Sequence, residues 1–361
     1  MSLTKVPLNA ITAKKIGTTA NTTSGANVVL LANVAPGSDL VSNQVGLLKG
    51  NFVDFVSGGA GTHAQGSVSS YISGGHGNGT YSNDTILKFP FSAGGSTSDV
   101  AELYDGMTSA AGASSREHGY LAGGSSPGDS NIIQKFPFSS DSPGSDVGEL
   151  IQARYVITGT ESESHGYAMG GQAPYQSIIE KFPFSSDSSS TDVGELINTP
   201  SPYAYGMSDG AGAASSTHGY YAGGFSPAPP GTAEGISKFP FSSDTPSTLV
   251  GSMVTGNIGG SAESGANSET HGYSYVYGDI HKWSFVSDSD ASMIMENAPH
   301  HPASQIGMTC TSSTTNGYAS GARQAPVYVD SINIWPFASE TNSTDFGELS
   351  VERGMASGAQ I

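Results

Sequence analysis

Cysteine occurs once in 361 residues, at Cys310, which excludes an intramolecular disulfide framework and any zinc site built from several cysteines. Charge is scarce too. Asp, Glu, Lys and Arg make up 12% of the chain, against roughly 25% in an average globular protein. What charge there is leans one way, with 13 basic residues, 31 acidic ones and a net charge of −18. A chain so poor in Lys and Arg lacks the means to neutralise phosphate, so neither nucleic acid nor an anionic membrane is an expected partner. No run approaches the ~20 apolar residues of a membrane span, and no membrane insertion is expected. The opening, MSLTKVPLNAITAKKIG, lacks the continuous apolar core of a secretory signal. What is abundant is glycine (49), proline (19), serine and threonine, a mixture that disfavours long helices and points to one large all-β architecture.

Internal repeats decide the architecture. An aromatic residue before a glycine pair recurs as SSYISGG (69–75), HGYLAGG (118–124), HGYAMGG (165–171) and HGYYAGG (218–224), then decays to HGYSYVYG (271–278) and NGYASG (316–321). A second phrase follows each time, from ILKFPFSAG (86–94) through IEKFPFSSD (179–187) to INIWPFASE (332–340). A third follows that, as in SDVGEL (145–150) and TDFGEL (344–349). The tyrosines Tyr71, Tyr120, Tyr167, Tyr220, Tyr273 and Tyr318 are spaced by 49, 47, 53, 53 and 45 residues. Each phrase reads as a strand. Period-2 alternation puts Ile178, Phe182 and Phe184 on one face, and the Pro of KFPF, which has no N–H to give a ladder, marks a strand that ends or bulges there. A weaker segment precedes each glycine-pair strand: 55–61, 107–114, 156–162, 207–213 and 308–313. Four short antiparallel strands per ~50 residues form the blade of a β-propeller.

The chain ends suggest how the ring closes. ERGMASGAQI (352–361) matches the first strand of a new blade, and 30–48 aligns without gaps to the later strands at 178–196, with Asp39 on Asp187 and Gly46 on Gly194. The expectation is one domain over 1–361: a seven-bladed propeller whose closing blade combines 1–50 with 351–361. The other six blades fall at about 51–103, 104–150, 151–196, 197–252, 253–296 and 297–350. The second strand of the closing blade is expected within 5–17.

These residues resemble the kelch-type β-propeller, in which a glycine pair ends the second strand of each blade. Gly123–Gly124, Gly170–Gly171 and Gly223–Gly224 match the pair, with Tyr120, Tyr167 and Tyr220 before them. The resemblance covers essentially the whole chain and implies architecture, not activity. It departs in two places: the Leu of GEL replaces the usual fourth-strand Trp, and the fifth repeat has lost its glycine pair. The wording KFPFSSD with Ser/Thr-rich turns resembles propellers encoded by marine and cyanobacterial viruses.

Several constellations could carry chemistry. His118, His165, His218 and His271 open successive second strands, too far apart for one metal, and are expected to bond neighbouring turns. The repeated acids Asp146/Glu149, Asp192/Glu195 and Asp345/Glu348 read as outer-strand solubility and edge protection, since paired-carboxylate hydrolysis needs two groups converging on one cleft. SDSDAS (287–292) lacks the Gly and distal Glu of a calcium loop. A copper radical oxidase resembles a kelch ring and would need a Tyr–Cys cross-link and two His ligands. Cys310 falls on an expected innermost strand, but 107–114, 156–162 and 207–213 carry no His. No sialidase Asp-box turn and no Gly-rich phosphate loop with its Lys is present. No cofactor is implied.

The two faces of the ring differ. Third-to-fourth turns are nearly uniform (SSDSPGS, SSDSSST, SSDTPST), whereas second-to-third loops vary in length and chemistry (HGNGTYSND, QAPYQS, FSPAPPGTAEG, ARQAPVYVD). Variable loops on a constant scaffold are where recognition sits. They offer Tyr81, Tyr175, Phe225, Arg323 and Tyr328 as exposed anchors, with the inter-blade pair His300–His301 on the same face. The sequence thus reads as a non-enzymatic interaction module, a capsid decoration or tail/fibre component of a virion. Its partners would be other virion proteins or a host surface receptor or glycan. The alternatives are an extracellular propeller enzyme, oxidase-like or glycan-active, and a cellular kelch scaffold.

Overall fold

The computed structural model describes residues 65–77, 79–197, 206–227, 234–254, 264–276, 278–295, 306–324, 326–339 and 341–361. Within them lie six four-stranded antiparallel sheets. Ordered from the inner strand outwards, blade 1 is Ser357–Gln360, Ser69–Ser73, Thr85–Pro90 and Ser98–Glu102. Blade 2 is Ala111–Ser114, His118–Ser125, Asp129–Pro137 and Ser145–Glu149; blade 3 is Thr158–Glu161, His165–Met169, Ile178–Pro183 and Thr191–Glu195. Blade 4 is Ala211–Ala214, His218–Ala222, Gly235–Pro240 and Thr248–Ser252; blade 5 is Ser264–Asn267, His271–Val276, Asp279–Ser284 and Ser292–Met295. Blade 6 is Thr309–Ser312, Asn316–Gln324, Val327–Pro336 and Thr344–Glu348. The chain is an all-β propeller. Among the described residues no helix is long and apolar enough to cross a membrane.

The repeated phrases are the joints between blades. The phrase tyrosine of each blade packs nearly parallel to the second Phe of KFPF, or its counterpart, in the next blade. The pairs are Tyr71–Phe138, Tyr120–Phe184, Tyr167–Phe241, Tyr220–Phe285, Tyr273–Phe337 and Tyr318–Phe91, with centroids 4.6–5.1 Å apart and ring planes within 21–31°. The last pair joins blade 6 to blade 1. The glycine before the tyrosine makes room for the other aromatic of the third strand: a Cβ on Gly166 would collide with the Phe182 ring, and one on Gly317 with Trp335. In the glycine pair, Gly170 and Gly171 take φ of 62° and 115°, left-handed values that a side chain would oppose. The Gly171 N–H then donates to the Met207 carbonyl at 2.7 Å, tying blade 3 to the entry of blade 4.

Ring closure differs from the sequence expectation in count and partner. The inner strands touch one another in the cyclic order of blades 1 to 6 and back to 1, which leaves no gap for a seventh. Among the described residues the ring counts six blades, where seven were expected. The last strand does close it, as the inner strand of blade 1: Tyr71 stands opposite Ala359 and Ser73 opposite Ser357. The segment 55–61, expected in that place, and the segment 1–50, expected to pair with the carboxyl-terminal strand, lie outside the described residues. The physical reason is that the final strand supplies the inner-strand position of the repeat starting at Ser69, completing a blade that already exists.

The third strands carry a second correction. Pro90, Pro137, Pro183, Pro240 and Pro336 end their strands, as a residue without N–H must. A bulge lies upstream, between Ile179 and Glu180 in blade 3 and at the matching step of the other five blades. The extra residue lies in the outer strand, Val193 in blade 3, and the third strand is covered on both faces, so Ile179 and Phe182 are buried on opposite faces while Ile178 is half-buried. The Leu of GEL packs inward at Leu103, Leu150, Leu196 and Leu349, while Asp146 and Glu149 of that strand are exposed.

Candidate functional site

The turns between third and outer strands are uniform because the assembly uses them. Lys135 pairs with Asp187 at 2.5 Å, Lys181 with Asp244 at 2.7 Å and Lys238 with Asp288 at 2.5 Å, each Lys of KFPF reaching the SSD turn of the next blade. The four histidines sit on this side as well. His165 Nδ1 lies 2.8 Å from Ser164 Oγ, His218 Nδ1 2.9 Å from Thr217 Oγ1, and His271 Nδ1 2.8 Å from Thr270 Oγ1. Burial, and then the nearby lysine, lowers the pKa of His118, His165 and His218.

Along the axis the inner strands approach closely. A Cβ on Gly159 would meet the Gly112 backbone, one on Gly212 the Gly159 carbonyl, and one on Gly265 the Gly212 carbonyl. Gly358 and Cys310 fill the matching positions of blades 1 and 6. The residual channel is a cavity of about 100 Å³. Glu161 ends the blade 3 inner strand within it. Burial pushes its carboxyl up to about 8, against a hydrogen bond with the Ser114 backbone that lowers it, so the group is largely protonated at neutral pH.

On the opposite face the axis opens into a cavity of about 400 Å³, a volume in the range of small-ligand pockets. Its rim is built by the connections that enter the inner strands. Ser109, Val156, Asp209, Gly307 and Met355 each lie two residues before an inner strand, and all are left-handed, with φ between 56° and 71°. The counterpart in blade 5 lies outside the described residues. The connections are hydrogen-bonded in sequence, Met355 N–H to the Gly307 carbonyl at 2.6 Å and Ser109 N–H to the Met355 carbonyl at 2.8 Å. Four of these residues are not glycine. Holding such a conformation costs of order 1 kcal/mol each, and strained backbone of this kind concentrates at binding sites.

Two chemically distinct walls face each other across the mouth. Blades 1 and 6 supply the first. His76 Nδ1 lies 2.9 Å from the Tyr328 hydroxyl, and the His76 ring is 4.9 Å from the centroids of both Tyr81 and Tyr328. Burial lowers the His76 pKa, and the Arg323 charge lowers it further. A short pairing of His76–Gly77 with Arg353–Gly354 pins this loop to the closing strand. Blades 3 and 4 supply the second wall. Asp209 Oδ2 accepts from Ser208 Oγ at 2.7 Å and from Gln172 Nε2 at 3.4 Å. Burial raises its carboxyl to about 6 against those two bonds, leaving it mostly ionised at neutral pH. Tyr155 lines the cavity beside it. Tyr175 pairs with Phe225 at 5.6 Å just outside, close enough that the Asp209 charge raises the Tyr175 pKa after burial does.

Of the residues expected from sequence, Tyr81, Arg323 and Tyr328 line the cavity, Tyr175 and Phe225 stand next to it, and His300 and His301 lie outside the described residues. Tyr81 is exposed as expected, and the other four described ones are more covered. Tyr81 is 55% exposed, Tyr175 and Phe225 are half-buried, and Tyr328 is buried under the His76 contact. Sequence reasoning missed His76, Tyr155 and Asp209. A signal for Asp209 existed: at the position two before the inner strand the repeats read Ser, Val, Asp, Gly and Met, the variation of a lining and not of a joint.

Cys310 is buried on an inner strand, and its nearness raises the Tyr275 pKa after burial does. Among the described residues no group of three His, Cys, Asp or Glu side chains gathers that could hold a metal ion. The fold and site define a β-propeller with a cavity at one mouth of its axis. No protein-family model matches the chain, and no curated protein matches it.

Proposed function

We propose that this chain is a non-enzymatic recognition module on a kelch-type propeller, and that it serves as a capsid decoration or tail/fibre component of a virus particle. Its partner is another virion protein or a host surface receptor or glycan, engaged through the loop face. One observation carries the reading. Side chains that repeat from blade to blade are consumed in joining the blades, whereas those that do not repeat converge on one cavity at one mouth of the axis. Selection for a rigid display platform with one variable surface produces that division. The glycine pairs and their preceding tyrosines support the kelch assignment, and the KFPFSSD phrase supports the viral setting and a virion location, with an extracellular location as the alternative.

The test has two arms. Particles purified from infected cells should carry the protein at a fixed copy number. Tyr81→Ala, at an exposed ring, should weaken attachment of the purified chain to the particle or to host cells while leaving Tm unchanged, and Ser186→Ala on the opposite face should alter neither. Protection of the SSD turns in footprinting would place the partner on the other face. Tightly bound copper or a mass deficit from a Tyr275–Cys310 cross-link would replace this reading with the oxidase one, which the proximity of those two side chains favours.

A further inference from the structure

Asp209 and Arg323 border the same cavity from blades that are not neighbours, with blade 5 between them. Asp209 enters blade 4, which stands across the axis from blade 1, and Arg323 leaves the second strand of blade 6, next to blade 1. Neither has an ion-pair partner among the described residues, where the salt bridges are Arg116–Glu163, Arg154–Glu180 and the three Lys–Asp joints. An ionised carboxylate held by one hydroxyl and one amide, in a concave low-dielectric site, gains most from a cationic donor, since charge-assisted hydrogen bonds are about twice as strong as neutral ones. Tyr155 beside it presents an aromatic surface suited to a cation. A guanidinium without a carboxylate has the converse need. Between the two walls the lining offers an apolar strip of Val156, Ile157, Met308 and Met355 beside the hydroxyls of Thr108, Ser109, Ser125 and Thr158. A carbon chain fits that floor.

Resting on the reading of this cavity as the binding site, we infer that its ligand is a small zwitterion, its ammonium end at Asp209 and its anionic end at Arg323. Two sources share this chemistry: an amino acid with a terminal carboxylate, and a choline- or ethanolamine-type phosphate headgroup. A neutral sugar would leave both charges without a counterpart, and a ligand with a single charge would satisfy one wall only.

The experiment is calorimetric titration of the full chain with a ruler series of ω-amino acids, from β-alanine to aminohexanoate, and with phosphocholine. Butylamine and butyrate serve as single-charge controls. The best zwitterion should bind at least about tenfold tighter than either control, equivalent to ~1.4 kcal/mol. Preference for the carboxylate series or for phosphocholine identifies the source. Asp209→Asn should abolish the advantage over butyrate and leave butyrate binding unchanged, whereas Arg323→Gln should abolish the advantage over butylamine. Should Asp209→Asn fail to fold, Arg323→Gln and the wild-type controls decide alone. Equal affinity for zwitterions and controls, or no binding of any probe at millimolar concentration, overturns the inference. If Tyr81→Ala still impairs attachment in either of those cases, the recognition reading stands and only the ligand class fails.

Discussion

Tyr318 of blade 6 packs against Phe91 of blade 1 with ring centroids 5.0 Å apart, and this contact carries the last repeat onto the first. Tyr318 is fully buried and also touches Phe346 of its own blade and Phe89, which blade closure brings within reach. Phe91 and Tyr318 therefore report on the same event as the pairing of Ser357–Gln360 with Ser69–Ser73. Tyr318→Ala should cost about 3–5 kcal/mol, the usual range for removing a large buried aromatic side chain. Deleting 357–361 should lower the urea midpoint at least as far, because it strips the inner strand from blade 1. The two changes combined should cost clearly less than the sum of the separate losses, since both open one seam. Full additivity would mean that the ring closes elsewhere.

The Arg154–Glu180 pair gives a second prediction. Both side chains are buried, and Glu180 also accepts from the Ile151 N–H at 2.9 Å and from the Ser190 hydroxyl. Arg154 Nε in turn donates to the Gly170 carbonyl at 2.7 Å, holding the glycine pair of blade 3. Glu180→Ala leaves a buried guanidinium uncompensated and should cost about 3–5 kcal/mol. The double replacement Arg154→Met/Glu180→Leu should cost less than Glu180→Ala alone, as urea unfolding of the three proteins would show.

Glu161 makes stability depend on pH in the direction opposite to most carboxylates. Its ordinary value of 4.5 rises to about 8 in the folded chain through burial. The folded state holds a proton that the unfolded state has released, so this group's contribution is present below 4.5 and lost as pH rises towards about 8. Tm should fall over that interval, and Glu161→Gln should flatten most of the fall. A wild-type Tm that climbs steadily from pH 5 to pH 8, unaltered in Glu161→Gln, would refute it.

Much of this fold was legible because its joints are local phrases. Tyr120 and Phe184 belong to motifs that recur visibly, and the structure shows why each recurs: one ring packs on the other across a blade boundary. The number of blades was not legible, because the segments 352–361 and 55–61 offer the same inner-strand chemistry and only pairing in space shows which one faces Tyr71. The burial of Ile179 was hidden for another reason: the third strand is covered on both faces, so its apolar alternation does not show which Ile is fully buried. The site was half-legible. Loop variation pointed to Tyr81, Arg323 and Tyr328, but Asp209 sits in a connection whose left-handed backbone alone places it at the mouth.

The axial glycines give the last prediction. Gly212 abuts the Gly159 carbonyl so closely that a Cβ has no room, and Gly265 stands in the same relation to Gly212. The obstructing atoms are backbone, held in strands that belong to different blades, so they cannot swing aside as a side-chain tip could. Gly212→Ala must push two blades apart, and overpacking of this kind costs typically about 1–3 kcal/mol. At the matching position of blade 6 a side chain already exists: Cys310 is accommodated among Tyr275, Met308 and Ala319. Cys310→Ala removes one sulfur from that cluster and should cost at most about 1 kcal/mol. Urea unfolding should therefore rank Gly212→Ala well below Cys310→Ala in stability, although the first adds a methyl group and the second deletes an atom. The reverse order would mean that the inner strands have slack and that the axis is not closed by backbone contact.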